Sequence, residues 1–398
     1  MTTDVSIEDR VIALGDGLAQ IPERLLLAHA RGEVLFICGA GISIPAGLPD
    51  FRKLVVDVYE QLDPGAHAVI SQFTYDDEKN KKVNLASLND VQRAEARRFL
   101  LGDYDVVLGM LERRLDGRTK SDSKVRAAVA NQLRGDNKKP VDIHRYLMRL
   151  ADRGVTSTIL TTNFDLLLEK AKRRKSKATT FSLGAMPRPT RSIDFSGVLH
   201  IHGAIDNKDS QSTEFVLSDQ DFGEFYLRRR TIPDFIYDAA RLFNLVLIGY
   251  SANDPPMRYL LNAVAADNTR FEDLKERFTF WGLKNPDPVV LEDWKARGIT
   301  PISYDSANGH SILRDTFKRW ADFSAINGVP GLVDKELRRI VKTPRKTSKD
   351  MDRDLFDHLI RRSNTNEKKR LTTLVANAGA EIEWLNAILK ISSERGPI

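Results

Sequence analysis

The chain has 398 residues, of which 41% are hydrophobic and 29% are charged, with a formal net charge of +6 at pH 7. This composition is ordinary for a globular protein, and no apolar run approaches the roughly 18 residues that a membrane-spanning helix needs. The single cysteine, Cys38, excludes an internal disulfide and a zinc cage of thiolates built from this chain alone. Because the first ten residues carry acids rather than the basic and apolar blocks of a secretory signal, we expect a cytoplasmic protein without membrane contact.

Six short apolar runs predict the strands of a parallel sheet. They are VLFIC (34–38), TSTILTT (156–162), VLHIHG (198–203), LVLIGY (245–250), FTFWG (278–282) and TPISY (300–304). In each run, the side chains that would point to either face of a strand are largely apolar, which is typical of strands that are covered by helices on both faces. Helical patterns lie between the runs, so the sequence predicts an α/β fold with a Rossmann-like, doubly wound parallel sheet.

The spacing of these runs predicts the domain organisation. The first and second runs are separated by far more than the dozen or so residues that a crossover needs, so we expect 57–150 to form a helical insertion or lid. The sheet domain then comprises 1–56 and 151–330. In 331–398 we expect a basic linker near 342–350 and C-terminal helices. Their apolar side chains must pack on the core or on another subunit, which favours an oligomer.

Two basic clusters, KAKRRKSK (170–177) and KTPRKTSK (342–349), account for much of the positive charge. Such clusters are typical of solvated surface or linker, and contact with nucleic acid or another polyanion is the alternative.

A glycine turn, Gly39-Ala40-Gly41, follows the first buried run. A turn with so little side-chain bulk lets a following helix direct its free N–H groups toward a phosphate, although a compact strand-to-helix turn explains the same residues. No Gly-Lys-Ser/Thr follows, so we do not expect ATP hydrolysis.

Four sequence blocks resemble the sirtuin family of NAD-dependent enzymes. The segment 39–52 contains GAGIS followed by GLPDFR and resembles the family signature G-A-G-x-S-x-x-x-G-I-P-D-F-R, with leucine in place of isoleucine. TTNFD (161–165) is similar to the T-Q-N-I-D block, and HIHGAID (200–206) resembles the strand with the His-Gly pair. GYSANDP (249–255) looks like the G-T-S block in the divergent, mostly bacterial branch. The resemblance covers most of residues 30–310.

The resemblance implies two catalytic residues, Asn163 and His202. A histidine can accept a proton or hydrogen bond from a ribose hydroxyl near neutral pH, and an asparagine can hold a hydroxyl and a water with one amide. His200 and His202 alternate, so we expect them on one face, with His200 in a packing or supporting role. The residues implied to bind NAD are Gly39, Ala40, Gly41, Ser43, Asp50, Phe51, Arg52, Asp165, Gly249, Ser251 and Asp254.

Two of the implied NAD contacts have structural alternatives. Asp165 is placed either to contact the cofactor or to cap the helix that follows it. Arg52 pairs either with the cofactor or with a structural partner.

The chain departs from the family after the His-Gly pair, because 204–244 has no cysteines where protein-deacylating sirtuins carry a zinc ribbon. We therefore expect no zinc, and the acyl-peptide groove is in doubt, which leaves water as the nucleophile. The resemblance implies an NAD glycohydrolase with NAD as substrate, as in sirtuin-like effectors of antiphage defence. It also implies gating by oligomerisation or by a partner, such as a HerA-type motor ATPase through which nucleic acid is contacted.

Two other classes of function stay open at this point. One is NAD-dependent protein deacylation or ADP-ribosyl transfer. The other is a non-catalytic sensor of NAD or ADP-ribose, or a nucleic-acid-associated assembly subunit.

Overall fold

The computed structural model describes residues 10–117, 123–134, 137–154, 156–172, 179–183, 186–192, 194–205, 215–250, 274–283 and 288–394. An antiparallel hairpin of β1 (Val11–Ala13) and β2 (Gln20–Pro22) precedes the main sheet. The strands of the main sheet are β3 (Val34–Cys38), β4 (Thr158–Thr161), β5 (Thr180–Ser182), β6 (Gly197–His200), β7 (Asn244–Ile248), β8 (Arg277–Leu283) and β9 (Thr300–Asp305).

The main sheet has the order β5-β6-β4-β3-β7-β8-β9, and every neighbouring pair is parallel. With the short edge strand β5 set aside, the remaining strands in chain order give 3-2-1-4-5-6, which is the doubly wound Rossmann order. The predicted fold class is therefore confirmed, and each predicted apolar run overlaps one strand. The hairpin and β5 were not predicted.

Some of the described helices cover the two faces of the sheet, and others pack together in a unit of their own. The described helices are α1 (Glu23–Ala30), α2 (Phe51–Leu62), α3 (Pro64–Ile70), α4 (Asp77–Asn80), α5 (Asp90–Leu100), α6 (Tyr104–Asp116), α7 (Lys124–Leu133), α8 (Asp142–Ala151), α9 (Leu167–Lys170), α10 (Asp219–Phe222), α11 (Thr231–Leu242), α12 (Pro288–Ala296), α13 (Ala307–Asp322), α14 (Leu332–Ile340), α15 (Asp350–Arg361), α16 (Thr365–Asn377) and α17 (Ile382–Ser393). A π-helix, Gly223–Arg228, continues directly from α10. In the part of the chain that the structure describes, no helix is long and apolar enough to cross a membrane.

The alternating side chains of the central strands enter two separate cores. Phe36, on β3, contributes to the core shared with α8, α13 and the C-terminal helices, whereas Leu35 and Ile37 contribute to the core shared with α11. All three side chains are at most 1% exposed. This burial on both faces explains why β3 appears in the sequence as an uninterrupted apolar run.

Helices α2 to α7 form a helical unit with a third core. Val58, Phe99, Leu108 and Val129 are buried in it. Helix α8 packs on the sheet instead, through residues such as Leu147 in the sheet core. We therefore propose that the helical unit begins at α2 and ends at α7, somewhat earlier than the predicted range 57–150.

The C-terminal helices pack on the sheet core. Leu355, Phe356 and Trp384 are buried in the same core as β3, so many of the large apolar side chains of this region are covered within the chain, whereas Ile382 and Leu389 are exposed. The basic stretch near 342–350, for which the sequence predicts a linker or an exposed turn, is an ordered connection. It contains a 3-10 turn, and Arg345 donates to Asp357 Oδ2 at 2.7 Å. An oligomer stays a prediction.

Candidate functional site

The carboxyl edge of the sheet gathers three of the four sequence blocks. Strands β4 and β6 are neighbours in register, with Thr161 opposite His200, and beyond this pair Ile205 N donates to Phe164 O at 2.9 Å. The segments that carry Asn163 and His202 therefore run side by side past the strand ends. Strand β3 lies on the other side of β4 and leads into the glycine turn. Ligands of open α/β sheets bind at this edge.

The glycine turn is packed against the loop after β7. Gly39 N donates to Ile248 O at 2.8 Å, and Gly41 N donates to Gly249 O at 2.9 Å. A Cβ on Gly41 would lie 2.8 Å from Gly249 Cα, and Gly249 itself has a φ of +77°. Only residues without a side chain allow two backbones to approach this closely, so close packing between the loops is one reason for the glycines.

The helix expected directly after the glycine turn is absent from this described segment. Two 3-10 turns, Ala40–Ile42 and Ile44–Ala46, follow β3, and α2 begins only at Phe51. The N–H groups of Ile42 and Ser43 donate to carbonyl groups within the turn, at 3.2 and 2.9 Å. The prediction of free helical N–H groups at this position is therefore wrong. Roles of Gly39, Ala40 and Gly41 toward a ligand stay predictions.

Ser43 is the centre of a buried hydrogen-bond network. Its hydroxyl donates to Asp165 Oδ2 at 2.9 Å and accepts from Asn163 Nδ2 at 3.2 Å. The ring of His144, on α8, lies with Nε2 3.4 Å from Ser43 Oγ. His144 Nδ1 accepts from Val141 N at 3.3 Å, so Nε2 carries the proton and donates toward the serine. The Ser43 hydroxyl thus uses its one donor and both of its acceptor positions, and these three hydrogen bonds fix the orientation of the side chain.

Asn163 is held by both N–H groups of its amide. Nδ2 donates to Gly39 O and to Ser43 Oγ, each at 3.2 Å, and the side chain is 8% exposed. In the described part of the chain, no residue donates to Oδ1 of Asn163. The amide therefore presents one oriented acceptor at the carboxyl edge of the sheet, and that acceptor suits a hydroxyl group or a water molecule.

Asp165 accepts from the first N–H of the helix that follows it, one residue before the N-cap position Leu166. Its Oδ1 accepts from Leu167 N at 3.0 Å, while Oδ2 accepts from Ser43. Burial raises the pKa of Asp165, against the lowering by these two hydrogen bonds. The capping alternative considered from sequence is therefore seen, and a direct contact with a ligand stays a prediction.

His202 is buried beneath an aromatic cover. Its Nε2 and the hydroxyl of Tyr226 are joined by a hydrogen bond of 2.6 Å, and the ring is 1% exposed. The rings of Phe222 and Tyr226 meet the imidazole edge-on, with centroids 5.6 and 5.9 Å away. Burial lowers the pKa of His202 to about 3, so this imidazole is neutral at neutral pH.

The two histidines of the third block have different partners. Strand β6 ends at His200, so the strand alternation does not extend to His202. His200 bonds to Asn163 O and to Glu169, on α9, whereas His202 packs with Phe222 and Tyr226. The prediction that both imidazoles share one face is therefore wrong, because the chain turns where the strand stops.

The Pro-Asp-Phe-Arg end of the first block lies with the helical unit. Asp50 caps α2 by accepting from Lys53 N at 2.7 Å, and Phe51 meets the ring of Tyr104 at 5.9 Å. Arg52 donates to Phe73 O at 2.7 Å, and its guanidinium lies 4.9 Å from the ring centres of both Tyr75 and Phe99. These contacts account for all three residues structurally. Their roles toward NAD stay predictions.

Of the fourth block, only Gly249 and Tyr250 are described. Gly249 meets the glycine turn, and Tyr250 OH donates to Cys38 O at 2.8 Å and lies 3.0 Å from Thr162 Oγ1. Ser251 and Asp254, both predicted to bind NAD, lie outside the described residues. The loop after β7 thus ties the ends of β3 and β4 together.

Sequence reasoning missed three side chains of the site: His144, Glu169 and Tyr226. Each lies on a helical element and reaches the strand ends only through the tertiary fold. An isolated histidine, glutamate or tyrosine in a helical pattern carries no local signal that separates such a role from ordinary packing. Only the unusual π-helix around Tyr226, an element that is often found at functional sites, could have indicated one of them.

The helical unit contacts both of the segments that follow β4 and β6. Phe164, directly after Asn163, packs on Phe215 with ring centres 5.1 Å apart, and both side chains belong to the core of the helical unit. Arg126, on α7, donates to Phe215 O at 2.7 Å and to Asp221 at 2.6 Å. Within the described ranges, no group of three or more His, Cys, Asp or Glu side chains is placed to hold a metal ion, and the absence of zinc stays an expectation.

Comparison with known proteins gives a family match over part of the chain. Residues 157–302 match the family described as SIR2-like domain. An uncharacterized protein of Sinorhizobium fredii, y4cA, is 31% identical over 366 residues, which cover 86% of this chain and 28% of that protein. The chain thus spans about a quarter of the length of this curated relative.

Solved Sir2 structures are similar at lower identity. A structure described as the structural basis for the mechanism and regulation of Sir2 enzymes is 15% identical, with a TM-score of 0.32 over 75% of this chain and 96% of that chain. A mutant Sir2 homologue in complex with ADP-ribose is 14% identical, with a TM-score of 0.34 over the same shares. The strand order of this chain and the SIR2-like match together identify a sirtuin-like fold of the Rossmann type.

Proposed function

We propose that this protein is an NAD glycohydrolase that cleaves the bond between nicotinamide and ribose. The observation that carries the proposal is the fixed amide of Asn163, whose one uncommitted acceptor lies at the carboxyl edge of a Rossmann sheet. The segment that carries His202 runs beside it. The ADP-ribose bound by a Sir2 homologue of similar fold supports the choice of NAD as the ligand.

The residues of the site fit a dinucleotide. Gly39 and Gly41 present bare backbone at the end of β3, where an added Cβ would collide with the loop after β7. The acceptor of Asn163 suits a ribose hydroxyl or the attacking water. His202 is neutral, so its ring can accept a hydrogen bond from a ribose hydroxyl. Because burial lowers its pKa to about 3, it is a weak base in this conformation and acts as a hydrogen-bond acceptor rather than as a proton acceptor.

The reaction needs little acid catalysis from the protein, because the nicotinamide leaving group is already cationic in NAD. Nicotinamide leaves with the electron pair of the broken carbon–nitrogen bond, water forms the new carbon–oxygen bond, and one proton passes to solvent. Asn163 orients the water or the adjacent hydroxyl, and His202 raises electron density on the ribose by accepting from a hydroxyl. Ser43 positions Asn163 through a hydrogen bond of 3.2 Å.

Tyr226 closes this site in the described conformation. Its hydroxyl holds Nε2 of His202 at 2.6 Å, so a ribose hydroxyl can bind this nitrogen only after Tyr226 moves. We therefore propose that the enzyme is gated, and that oligomerisation or a partner moves the π-helix. The resemblance supports an NAD-depleting antiphage effector with a HerA-type ATPase partner as the setting for this gate.

The test is NAD consumption by the purified chain, alone and with its candidate partner, followed by chromatography of nicotinamide and ADP-ribose. We expect equal amounts of both products without any added acceptor. Asn163→Ala and His202→Ala should each abolish the reaction, and Ser348→Ala, remote from the site, is the folding control. Turnover that requires an acyl-peptide or acceptor protein would instead show deacylation or ADP-ribosyl transfer. Tight ADP-ribose binding without turnover would show a sensor.

A further inference from the structure

The second histidine of the third block makes two short hydrogen bonds that the proposed reaction does not use directly. His200 is the last residue of β6 and is fully buried. Its Nδ1 lies 2.8 Å from the main-chain oxygen of Asn163, and its Nε2 lies 2.8 Å from Glu169 Oε1. Thr180 Oγ1 donates to the same carboxylate oxygen at 3.0 Å. Both ring nitrogens of His200 therefore face oxygen atoms.

The partners determine where the protons of this ring lie. A main-chain carbonyl oxygen can only accept, so Nδ1 of His200 must carry a proton. An ionised carboxylate also only accepts, so Nε2 carries a proton as well when Glu169 is charged. In the remaining arrangement, the ring is neutral and Glu169 is protonated. The carboxyl group that faces Nε2 would then carry an O–H donor of its own, in addition to the hydroxyl donor of Thr180 that already points at it.

The surrounding charges favour the charged ring. Burial alone lowers the pKa of His200, but the hydrogen bond and charge of Glu169, the carbonyl of Asn163 and the charge of Asp165 outweigh it, so the net pKa is raised. The acidic groups Glu169 and Asp165 are the charged side chains that face this ring in the described structure. Both ring nitrogens of His200 have a hydrogen-bond partner, which favours a buried ion pair, although Oε2 of Glu169 has no partner among the described residues.

We propose that His200 is a buried imidazolium, paired with Glu169, that positions Asn163 by donating a hydrogen bond to its main-chain carbonyl. Its role in catalysis depends on the proposed function, whereas its protonation state does not. Asn163 is then fixed at several points, because Thr161 Oγ1 accepts from its main-chain N–H at 3.0 Å and its amide binds Gly39 and Ser43. His200 is a positioning residue, since it contacts Asn163 and not the reacting atoms.

Protonation is measured by NMR on full-length protein carrying ¹⁵N-histidine. The chain has 7 histidines, and the signals of His200 are assigned by their loss in His200→Gln. We expect both ring nitrogens of His200 to carry protons at pH 7, and one of them to lose its proton in Glu169→Gln. A neutral ring with one unprotonated nitrogen at pH 7 in the wild-type protein would overturn the ion pair.

Positioning is measured by the kinetics of NAD hydrolysis. We expect His200→Gln, which can keep one donor but loses the charge, to lower kcat by about 10- to 100-fold while KM changes by less than about threefold, because a displaced amide affects orientation more than binding. His358→Gln is the matched control, since it breaks another buried histidine–glutamate contact, His358 Nδ1 to Glu23 Oε1 at 3.2 Å. Equal kinetics in the two variants would refute the positioning role.

The pH profile separates positioning from mere packing. Because the pKa of His200 is raised in the folded protein, the imidazolium is fully formed at pH values below that pKa and is lost as pH rises through it. We expect Glu169→Gln to move the alkaline fall of kcat to lower pH by about one unit or more. If the alkaline fall of kcat occurs at the same pH in Glu169→Gln as in the wild-type protein, the proposal is contradicted. Wild-type protein without NAD hydrolysis would refute the proposed function, while the NMR measurement would still decide the protonation of His200.

Discussion

Replacing Ser43 by alanine tests the hydrogen-bond network that orients Asn163. The hydroxyl is 2% exposed and makes one hydrogen bond as donor and two as acceptor. Alanine fills nearly the same volume, so the main effect of Ser43→Ala is to remove these three bonds. One N–H of Asn163, the Nε2–H of His144 and one oxygen of Asp165 then lose their partner.

The lengths of the bonds set the expected size of the effect. The bonds of 2.9 and 3.2 Å to Asp165 and Asn163 are ordinary, whereas the 3.4 Å contact with His144 is long and contributes little. Leaving two buried polar groups without partners costs about 1–3 kcal/mol each. We expect Ser43→Ala to lower the free energy of unfolding by about 2–6 kcal/mol. We also expect kcat for NAD to fall by about 10- to 100-fold, because Asn163 retains only one anchor for its amide.

Ser348→Ala is the matched control for this experiment. Ser348 is 6% exposed, and its hydroxyl has no hydrogen-bond partner among the described residues. Loss of that hydroxyl should change the free energy of unfolding by no more than about 0.5 kcal/mol, or should stabilise the folded protein slightly. Urea unfolding of both variants, followed by circular dichroism, gives the difference. Equal free energies of unfolding for the two variants, or an unchanged kcat in Ser43→Ala, would refute the reasoning.

Three further predictions concern the gate, acid stability and the helical unit. Tyr226→Phe removes the hydroxyl that occupies His202, so the basal rate of NAD hydrolysis should rise severalfold without a trigger; loss of activity would contradict the gate. Burial lowers the pKa of His202 to about 3 and that of His29 and His144 to about 4, so the unfolded chain binds more protons than the folded protein below about pH 6.5. Urea unfolding should therefore show stability falling by about 1.4 kcal/mol per pH unit for each of these histidines as pH drops from 6.5 to 4, and His29→Gln should reduce that slope. Arg126→Met leaves the buried carboxylates that it pairs with uncompensated and should cost about 3–5 kcal/mol of folding free energy by urea unfolding; a cost below about 1 kcal/mol would show that these pairs are unimportant.

The sheet could be predicted from sequence because its strands are buried on both faces. Strand β3 shows this most clearly, since all five of its residues are buried and the run is apolar throughout. Strand β5 could not be predicted in the same way. It has three residues, none of them buried, and only its pairing with β6 makes it part of the sheet.

The candidate site could be predicted only where it follows a strand. Asn163 and His202 come directly after β4 and β6, so the fold itself brings their segments together. Tyr226 reaches His202 from a π-helix 24 residues along the chain, and His144 reaches Ser43 from a helix 101 residues away. Side-chain contacts over such separations depend on packing and leave no periodic pattern in the sequence.

The helical unit and the segments after β4 and β6 share one core, so the helices cannot be removed without disturbing those segments. Phe164, Ile205 and Phe215 are side chains of the segments after β4 and β6. Ile205 and Phe215 are buried in the core of helices α2 to α7, and the partly buried Phe164 packs against it. Deleting those helices would expose aromatic surface beside Asn163 and release the main chain that carries it. The helices and the sheet should therefore melt in one transition, and grafting the sheet alone onto another protein would transfer a scaffold without its reactive centre.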